Sequence, residues 1–270
     1  MRNTFPMNRA RFVIAPLSLL AAVSLGATAF AQAAAPGAPA LASIPLGLPI
    51  GKVPVGRWAT YRMSDAGGNS TSFKMVVVGH HGKVTEIETI VEGGSMAPLG
   101  RTALRSSISN DTGADLQSDR HVVQLGENPP MLIPMQIVGA QVQSFRKPDP
   151  RQRVGVESVT VAAGAYPRAE HYQEKGATGA VVDCWISKDV PPFGLVKMQA
   201  AADARGRLIV FELTAHGENA RPTITAPAQP FDRQALAKQL QPLIAAQQAA
   251  SQAIAPRAAP PGGAAGSGQH

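Results

Sequence analysis

Apolar and polar residues alternate with a period of two along much of the chain. Apolar side chains occupy every second position from Phe73 to Val77, and the alternation resumes over residues 85–91 after a His-His-Gly-Lys turn. Alternation on both sides of a short polar turn is the pattern of a β-hairpin. Strands are also predicted before this hairpin, over residues 57–63, and after it, over residues 101–109.

The second half of the chain repeats this pattern. A hairpin is predicted from residues 157–161 and 165–173, which flank an Ala-Ala-Gly turn, and three more strands are predicted at residues 180–186, 195–200 and 208–214. Strands joined by so few residues can only be antiparallel neighbours. The pattern therefore predicts a mainly β (α+β) fold built on one antiparallel sheet.

The period changes to that of a helix over residues 230–254. Asp232 is a suitable N-cap, and the apolar residues that follow recur at helical spacing. They are Ala235, Leu236, Leu240, Leu243 and Ile244. Pro242 interrupts this spacing and is expected to kink or shorten the helix, which should fray beyond residue 245. An antiparallel β domain over residues 53–229 and a C-terminal helix are therefore expected.

Residues 128–150 fit no single element. Pro129, Pro130 and Pro134 break regular structure, yet most of the residues between and just after them are apolar. A strand, a short helix and a loop lying over an open core each satisfy this pattern.

The first 31 residues have the pattern of an export signal peptide. Three arginines and no acidic residue precede an apolar stretch over residues 12–25, and Ala29-Phe30-Ala31 supplies a cleavage site. The alternative is an uncleaved anchor, because the apolar stretch approaches the ~20 residues that span a bilayer. Pro16 and the cleavage pattern argue for the signal. A periplasmic or secreted location is predicted.

Low-complexity segments flank the predicted domain. Residues 32–52 are rich in Ala, Pro and Gly, and residues 255–270 have the same character. Such stretches bury too little apolar surface to offset their conformational entropy. A flexible linker and a disordered tail are therefore expected.

Charge gives little information about partners. Loss of the signal removes three arginines, which leaves 25 − 3 = 22 basic against 18 acidic residues and a net charge of +4. The remaining charges form no cluster, and aromatic residues make up 5% of the chain. No nucleic-acid partner is expected. No cysteine lies at the cleavage point, so no stable membrane anchor is expected either.

Three stretches carry a family resemblance. They are WISKDVPPFGLVKM at residues 185–198, VAAGAY at 161–166 and GRWATY at 56–61. They resemble uncharacterised exported bacterial proteins that look like relatives of the LolA and LolB lipoprotein carriers. The resemblance covers residues 159–214, and residues 55–63 more loosely. It implies a strongly curved antiparallel sheet, an unclosed half-barrel, with a helix laid into its concave face, and it supplies no catalytic residue.

A half-barrel must cover its concave face with a helix, a loop or a ligand. One hypothesis is an exported, soluble binding module that holds a hydrophobic or amphiphilic small molecule or lipid there. The residues expected to line that face are Val182, Cys184, Ile186, Val196, Met198, Ile209, Phe211 and Leu213. The competing interpretation is an ordinary core. The alternative function is a non-catalytic structural or protein-interaction component of the cell envelope.

Two single residues have open interpretations. Phe193 lies in a Pro-Pro-Phe-Gly turn and either folds back onto the core or stays exposed as an interaction residue. Cys184 is the only cysteine and is expected to be a small buried apolar side chain, with an intermolecular disulfide or a reactive thiol as alternatives.

Catalytic, metal and cofactor motifs are not expected. His80 and His81 are adjacent and lack metal-site spacing, so solvated turn histidines are favoured over a metal site. A hydrolase would need a carboxylate pair, for which the candidates are Asp183, Asp189, Glu170 and Glu174. No nucleophile, base and orienting group can be assigned together. The chain is therefore expected not to be an enzyme and to bind no cofactor.

Overall fold

The computed structural model describes residues 43–65, 70–110, 121–134, 144–175, 181–201 and 208–254 of the 270-residue chain. The predicted signal peptide, residues 32–42 and the predicted tail at 255–270 lie outside these ranges. The strands are β1 (Ser43–Pro45), β2 (Trp58–Asp65), β3 (Ser70–His81), β4 (Val84–Glu92), β5 (Thr102–Ser109), β6 (His121–Leu125), β7 (Met131–Ile133), β8 (Ser144–Arg146), β9 (Arg153–Val161), β10 (Gly164–Lys175), β11 (Val181–Ile186), β12 (Leu195–Ala201) and β13 (Leu208–Gly217). One helix, α1 (Arg233–Ile254), follows them, and short 3-10 turns occupy Ile50–Lys52, Gly94–Leu99 and Pro150–Gln152.

Eleven of these strands form one curved, unclosed antiparallel sheet in the order β7-β6-β5-β4-β3-β2-β13-β12-β11-β10-β9. Most neighbours in the sheet are also neighbours in sequence, as the short predicted turns require. The link between β2 and β13 joins the two halves of the domain. The predicted mainly β fold with a C-terminal helix is confirmed.

Side chains alternate between an inner face that carries the main core and an outer face. Cross-strand pairing aligns Cys184, Met198 and Phe211 in one inner row. Phe211 stacks on Tyr61, with ring centroids 4.7 Å apart. On the outer face the corresponding row is polar, and Arg62 forms an ion pair with Glu212. The period-two pattern in the sequence is thus a division between core and solvent.

Helix α1 packs against the end of the sheet that is formed by β6 and β7. Asp232 caps it, because its Oδ1 accepts hydrogen bonds from the backbone N–H groups of Gln234 at 2.8 Å and Ala235 at 3.1 Å. Buried leucines of α1 form a second core with apolar residues of the Gly94–Leu99 turn, β6 and β7. The helix continues through Pro242 to Ile254, so the expected shortening and fraying do not occur.

Residues 218–230, called here the outer strap, link β13 to α1 across the outer face. Ile224 of the strap packs with Val76, Ile90 and Ala103 in a third buried cluster. The strap ends at β7, where the backbone N–H of Leu132 donates to the carbonyl of Gln229 at 2.8 Å.

The N-terminal segment, residues 43–53, differs from the sequence-based expectation. Residues 32–52 were assigned to a flexible linker, but β1 pairs in parallel with β8. Ile44, Leu46 and Ile50 are each 3% exposed or less. The assignment is therefore wrong for residues 43–52. These apolar side chains bury enough surface in the core to offset the conformational entropy that the segment loses when it becomes ordered. In the undecided stretch at 128–150, the described residues contain β7 and β8.

Candidate functional site

The eight residues predicted to line a ligand site lie in the core of the domain. Seven of them are buried, and Val182 is partly buried against the same cluster. Ile209 lies on β13 opposite Ala200 of β12. This pair is two residues along from the Met198–Phe211 pair and lies on the same face of the sheet. Val196 occupies the irregular position where the register of β11 and β12 shifts. The sheet therefore brings the predicted set together, and their role in holding a ligand stays a prediction.

The N-terminal segment packs into this same core. Ile44, Leu46, Ile50 and Val53 belong to one buried cluster with Cys184, Met198 and Phe211 among others. The backbone N–H of Gly47 donates to the carbonyl of Phe193 at 2.7 Å. A Cβ at position 47 would lie 2.0 Å from Cγ2 of Ile186, so only glycine permits this approach. The chain itself thus covers part of the inner face.

The turn between β11 and β12 closes over the core next to this segment. Phe193 is fully buried, as are Val190 and Leu195. The backbone N–H of Gly194, which has a φ of +79°, donates to the carbonyl of Val190 at 2.6 Å. Of the two interpretations of Phe193, folding back onto the core is therefore the one observed. Its prediction as an exposed interaction residue is wrong, because the turn buries the ring.

Polar contacts fix the C-terminal end of the N-terminal segment. His80 Nε2 lies 2.8 Å from the carbonyl oxygen of Val53, and its Nδ1 lies 2.9 Å from the Thr85 hydroxyl. Thr85 in turn donates to Asn110 at 2.6 Å. His80 is thus engaged in anchoring the segment rather than being a solvated turn residue.

Tyr61 supplies a polar contact inside the core. Its hydroxyl donates to the carbonyl oxygen of Leu195 at 3.2 Å, and the ring is fully buried. Burial, reinforced by Tyr166, raises the pKa of Tyr61 well above its usual value. The hydroxyl therefore stays protonated and acts as a structural donor.

A polar cluster that the sequence did not predict lies on β9, β10 and β11. His171 Nε2 is 2.9 Å from Asp183 Oδ1, and its Nδ1 is 3.1 Å from Glu157 Oε1. Both ring nitrogens of His171 thus face carboxylate oxygens, one on β9 and one on β11. Glu157 also accepts from the indole N–H of Trp185, and Gln173 donates to Asp183 at 3.1 Å.

Ring stacking completes this cluster. The His171 and Trp185 rings stack with centroids 4.7 Å apart and an interplanar angle of 13°. The ammonium of Lys197 lies 5.3 Å from the centroid of the Trp185 ring. The side chain of His171 is only 15% exposed. These contacts tie strand β9 to β11 and β12. The cluster could have been predicted if the register of the β10–β11 hairpin had been known, because His171 is directly opposite Trp185.

The remaining chemical candidates each have partners of their own. Ser187 donates to Asp189 at 3.4 Å, and the hydroxyl of Tyr172 donates to Glu170 at 2.8 Å. Glu174 and Cys184 are buried. His81 lies on the β3–β4 hairpin, 3.6 Å from Glu86. Within the described ranges, no group of three or more His, Cys, Asp or Glu side chains is placed to hold a metal ion.

Among the residues that the structure describes, no helix combines the length and the apolar character needed to cross a bilayer.

Comparison with known proteins gives distant structural similarities. No protein-family model matches the chain, and no curated protein matches it. The hypothetical protein CT021 from Chlamydia trachomatis is similar in structure with a TM-score of 0.42 and 12% identity, over 67% of this chain and 96% of that one. MucB gives a TM-score of 0.41 and 15% identity, over 67% of this chain and 61% of MucB. The MucA/MucB complex of Pseudomonas aeruginosa gives a TM-score of 0.41 and 15% identity, over 67% of this chain and 58% of that chain.

These three similarities are weak. The chain spans less than two thirds of the MucB chains that it matches. At TM-scores of 0.42 or below, they carry no argument about ligand or partner.

Proposed function

We propose that this protein is an exported, non-catalytic module of the cell envelope that acts by contacting other proteins. One observation carries the proposal: the N-terminal segment and the Phe193 turn occupy the inner face of the sheet. Gly47 and Phe193 are joined there by a backbone hydrogen bond of 2.7 Å. The exterior of the sheet is then the surface through which the protein acts.

Packing energetics support this proposal over a carrier of hydrophobic molecules. A ligand on the inner face would have to replace the contacts of Ile44, Leu46 and Ile50, all of them buried. Complete burial of one such side chain is worth about 1.5–3 kcal/mol. A bound acyl chain would therefore compete with a covalently attached occupant, whose effective concentration is high.

The chemistry of the described side chains supports a non-catalytic role. The two carboxylates around His171 orient the ring, but no hydroxyl or thiol nucleophile is among the contacts described for it. Cys184 is buried on the inner face. A catalytic group must reach its substrate, and these groups are engaged in internal contacts.

Native mass spectrometry of the protein purified from the compartment to which it is exported tests the proposal. We expect the mass of the polypeptide without lipid, both before and after solvent extraction. Chemical cross-linking in intact cells should join the protein to a different envelope protein. A stoichiometric lipid adduct would overturn the proposal in favour of the ligand-carrying alternative, and so would an absence of cross-links to any other protein.

A further inference from the structure

The outer strap contacts the sheet in the way that a bound peptide would. Ile224 is its only buried residue, with 3% of its surface exposed. The residues packed around Ile224 come from three neighbouring strands and are called here the outer pocket: Val76 of β3, Ile90 of β4 and Ala103 of β5. Because the strap crosses these strands, it forms no ladder with them, and its middle residues need other hydrogen-bond partners.

Two side chains beside the outer pocket supply those partners. The carboxylate of Glu88 accepts hydrogen bonds from the backbone N–H groups of Thr223 at 2.6 Å and of Ile224 at 3.2 Å. The guanidinium of Arg105 donates to the carbonyl oxygen of Ile224 at 2.5 Å and to Glu88 at 2.6 Å. On the side of the strap, these contacts involve only backbone groups. They fit any segment that has two successive N–H groups, which excludes proline at both positions.

The strap buries fewer apolar side chains than the other segment that covers the sheet. The N-terminal segment buries Ile44, Leu46 and Ile50, whereas the strap buries Ile224 alone. Residues 225–227, which follow Ile224, are exposed. Elements with few buried apolar contacts open more readily than the core does. The strap is therefore the cover that a partner can displace.

We propose that the outer pocket, with Glu88 and Arg105 beside it, binds an extended segment of a partner protein when the middle of the strap lifts. The strap defines what that segment must carry, which is an aliphatic anchor of the size of Ile224 with N–H groups on the anchor and on the residue before it. The inference rests on the proposed function and names the part of the exterior that takes the partner. The attached strap competes with the partner, so the wild-type protein binds it weakly.

A synthetic peptide of residues 219–229 tests whether the outer pocket accepts a separate chain, with affinity measured by titration calorimetry. Ile224→Asp in the full exported chain places a carboxylate against apolar side chains, so the strap should lift. The peptide should then bind about tenfold or more tightly than it binds to the wild type. Thr225→Asp is the matched control, because it adds the same charge at the exposed neighbouring residue and should leave the affinity at the wild-type level.

Ile224→Ala is a second opening variant, which adds no charge to the outer pocket. It weakens the packing of the strap without opposing it, so the peptide should bind with an affinity between those of the wild type and Ile224→Asp. Circular dichroism shows whether each variant retains the sheet, and Ile224→Ala carries the test if Ile224→Asp does not fold.

Changes in the peptide test the recognition chemistry without altering the protein. Ile224→Ala in the peptide should weaken binding to the opened variants about tenfold or more, because a smaller anchor fills less of the outer pocket. Thr223→Pro in the peptide removes one N–H donor to Glu88 and should also weaken binding about tenfold. Thr225→Ala in the peptide is the control at an exposed position and should leave binding unchanged.

The same variants test the docking site in cells. Chemical cross-linking in intact cells should join several-fold more of the envelope partner to Ile224→Asp than to the wild type, because more of the protein is open. Thr225→Asp should give the wild-type yield. A cross-link to a second copy of this chain in place of a different protein would overturn the inference, because the strap of the second copy would then be the occupant.

Failure of both opened variants to bind the peptide would overturn the inference. Equal affinity for the unchanged peptide and for the peptides altered at positions 223 and 224 would overturn it as well, because recognition would then not follow the contacts of the strap. These outcomes differ from failure of the proposed function. A lipid-free protein that cross-links to another protein equally in all variants loses the outer pocket and keeps that function, whereas a stoichiometric lipid adduct overturns the function whether or not the peptide binds.

Discussion

At the scale of single residues, His121 shows how burial in this fold changes the chemistry of a side chain. It is fully buried at the start of β6, with Nδ1 3.2 Å from the Ser106 hydroxyl. Burial lowers the pKa of His121 from its usual value of 6.5, because the charged ring would lose its hydration. The ring is therefore neutral in the folded protein at neutral pH.

This burial predicts a loss of stability in weak acid. Well above pH 6.5 the ring is neutral in both the folded and the unfolded states, so His121 contributes no pH dependence there. As the pH falls below 6.5, the unfolded chain binds a proton at His121 that the folded chain does not, and the free energy of unfolding decreases. The slope is at most ~1.4 kcal/mol per pH unit for one group, and it ends at the lower pKa of the folded state.

Urea unfolding between about pH 7.5 and pH 5 measures this effect, the range spanning the usual titration of histidine. His121→Asn retains a donor near Nδ1 but does not titrate, so its stability should fall less steeply with acid. His216→Asn is the control at an exposed histidine on β13 and should retain the wild-type slope. Equal slopes for His121→Asn and the wild type would contradict this account of His121.

At the scale of the elements, the outer strap depends on one buried ion pair. Glu88 is fully buried and lies 2.6 Å from Arg105. The same carboxylate accepts the backbone N–H groups of Thr223 at 2.6 Å and Ile224 at 3.2 Å. Arg105 donates to the carbonyl of Ile224 at 2.5 Å. The pair thus satisfies the backbone of the strap where it crosses the sheet.

Replacing Glu88 by Ala should lower the free energy of unfolding by about 3–5 kcal/mol, because it leaves Arg105 and two strap amides without their partner. The neighbouring pair Glu92–Arg101, at 2.5 Å, joins β4 to the residue before β5, but its side chains are 57% and 59% exposed. Glu92→Ala should therefore cost less than about 1 kcal/mol. Equal losses in urea unfolding would show that the strap does not depend on Glu88.

The elements differ in how readily the sequence predicts them. The β3–β4 and β9–β10 hairpins follow from alternation and turn residues, because each is half-buried and closed locally. The helix follows from Asp232 and its spaced leucines. The sequence did not predict that the helix continues through Pro242. Packing of Leu240 and Leu243 outweighs the local cost of the proline.

The N-terminal segment shows why composition alone misleads. Its alanines, prolines and glycines predict flexibility, but Ile44, Leu46, Leu48 and Ile50 occupy every second position. That alternation was the available signal for a buried extended segment. Its destination could not be predicted, because contacts with Ile186 and Phe193 join residues more than 130 positions apart.

At the scale of the whole molecule, the sheet aligns on its inner face residues to which the sequence pattern assigns a shared face. Cys184, Met198 and Phe211 do align across three strands. What covers this face depends on how the ends of the chain return to the sheet, which no local pattern encodes. The cluster of His171, Glu157 and Asp183 was missed for the same reason, because it exists only once the register of three strands is set.

The central claim is that the N-terminal segment is a built-in occupant of the inner face. Amide hydrogen exchange resolved by NMR tests it most directly, at the N–H of Gly47 and at the N–H of Val53, which donates to Ile50 at 3.1 Å. We predict that the Gly47 amide exchanges as slowly as amides in the central strands β2 and β3, because opening it requires the core to open. The Val53 amide should also be protected. Exchange of both at the rate of an unstructured chain, with β2 and β3 still protected, would show that the segment leaves the inner face open and would contradict the account.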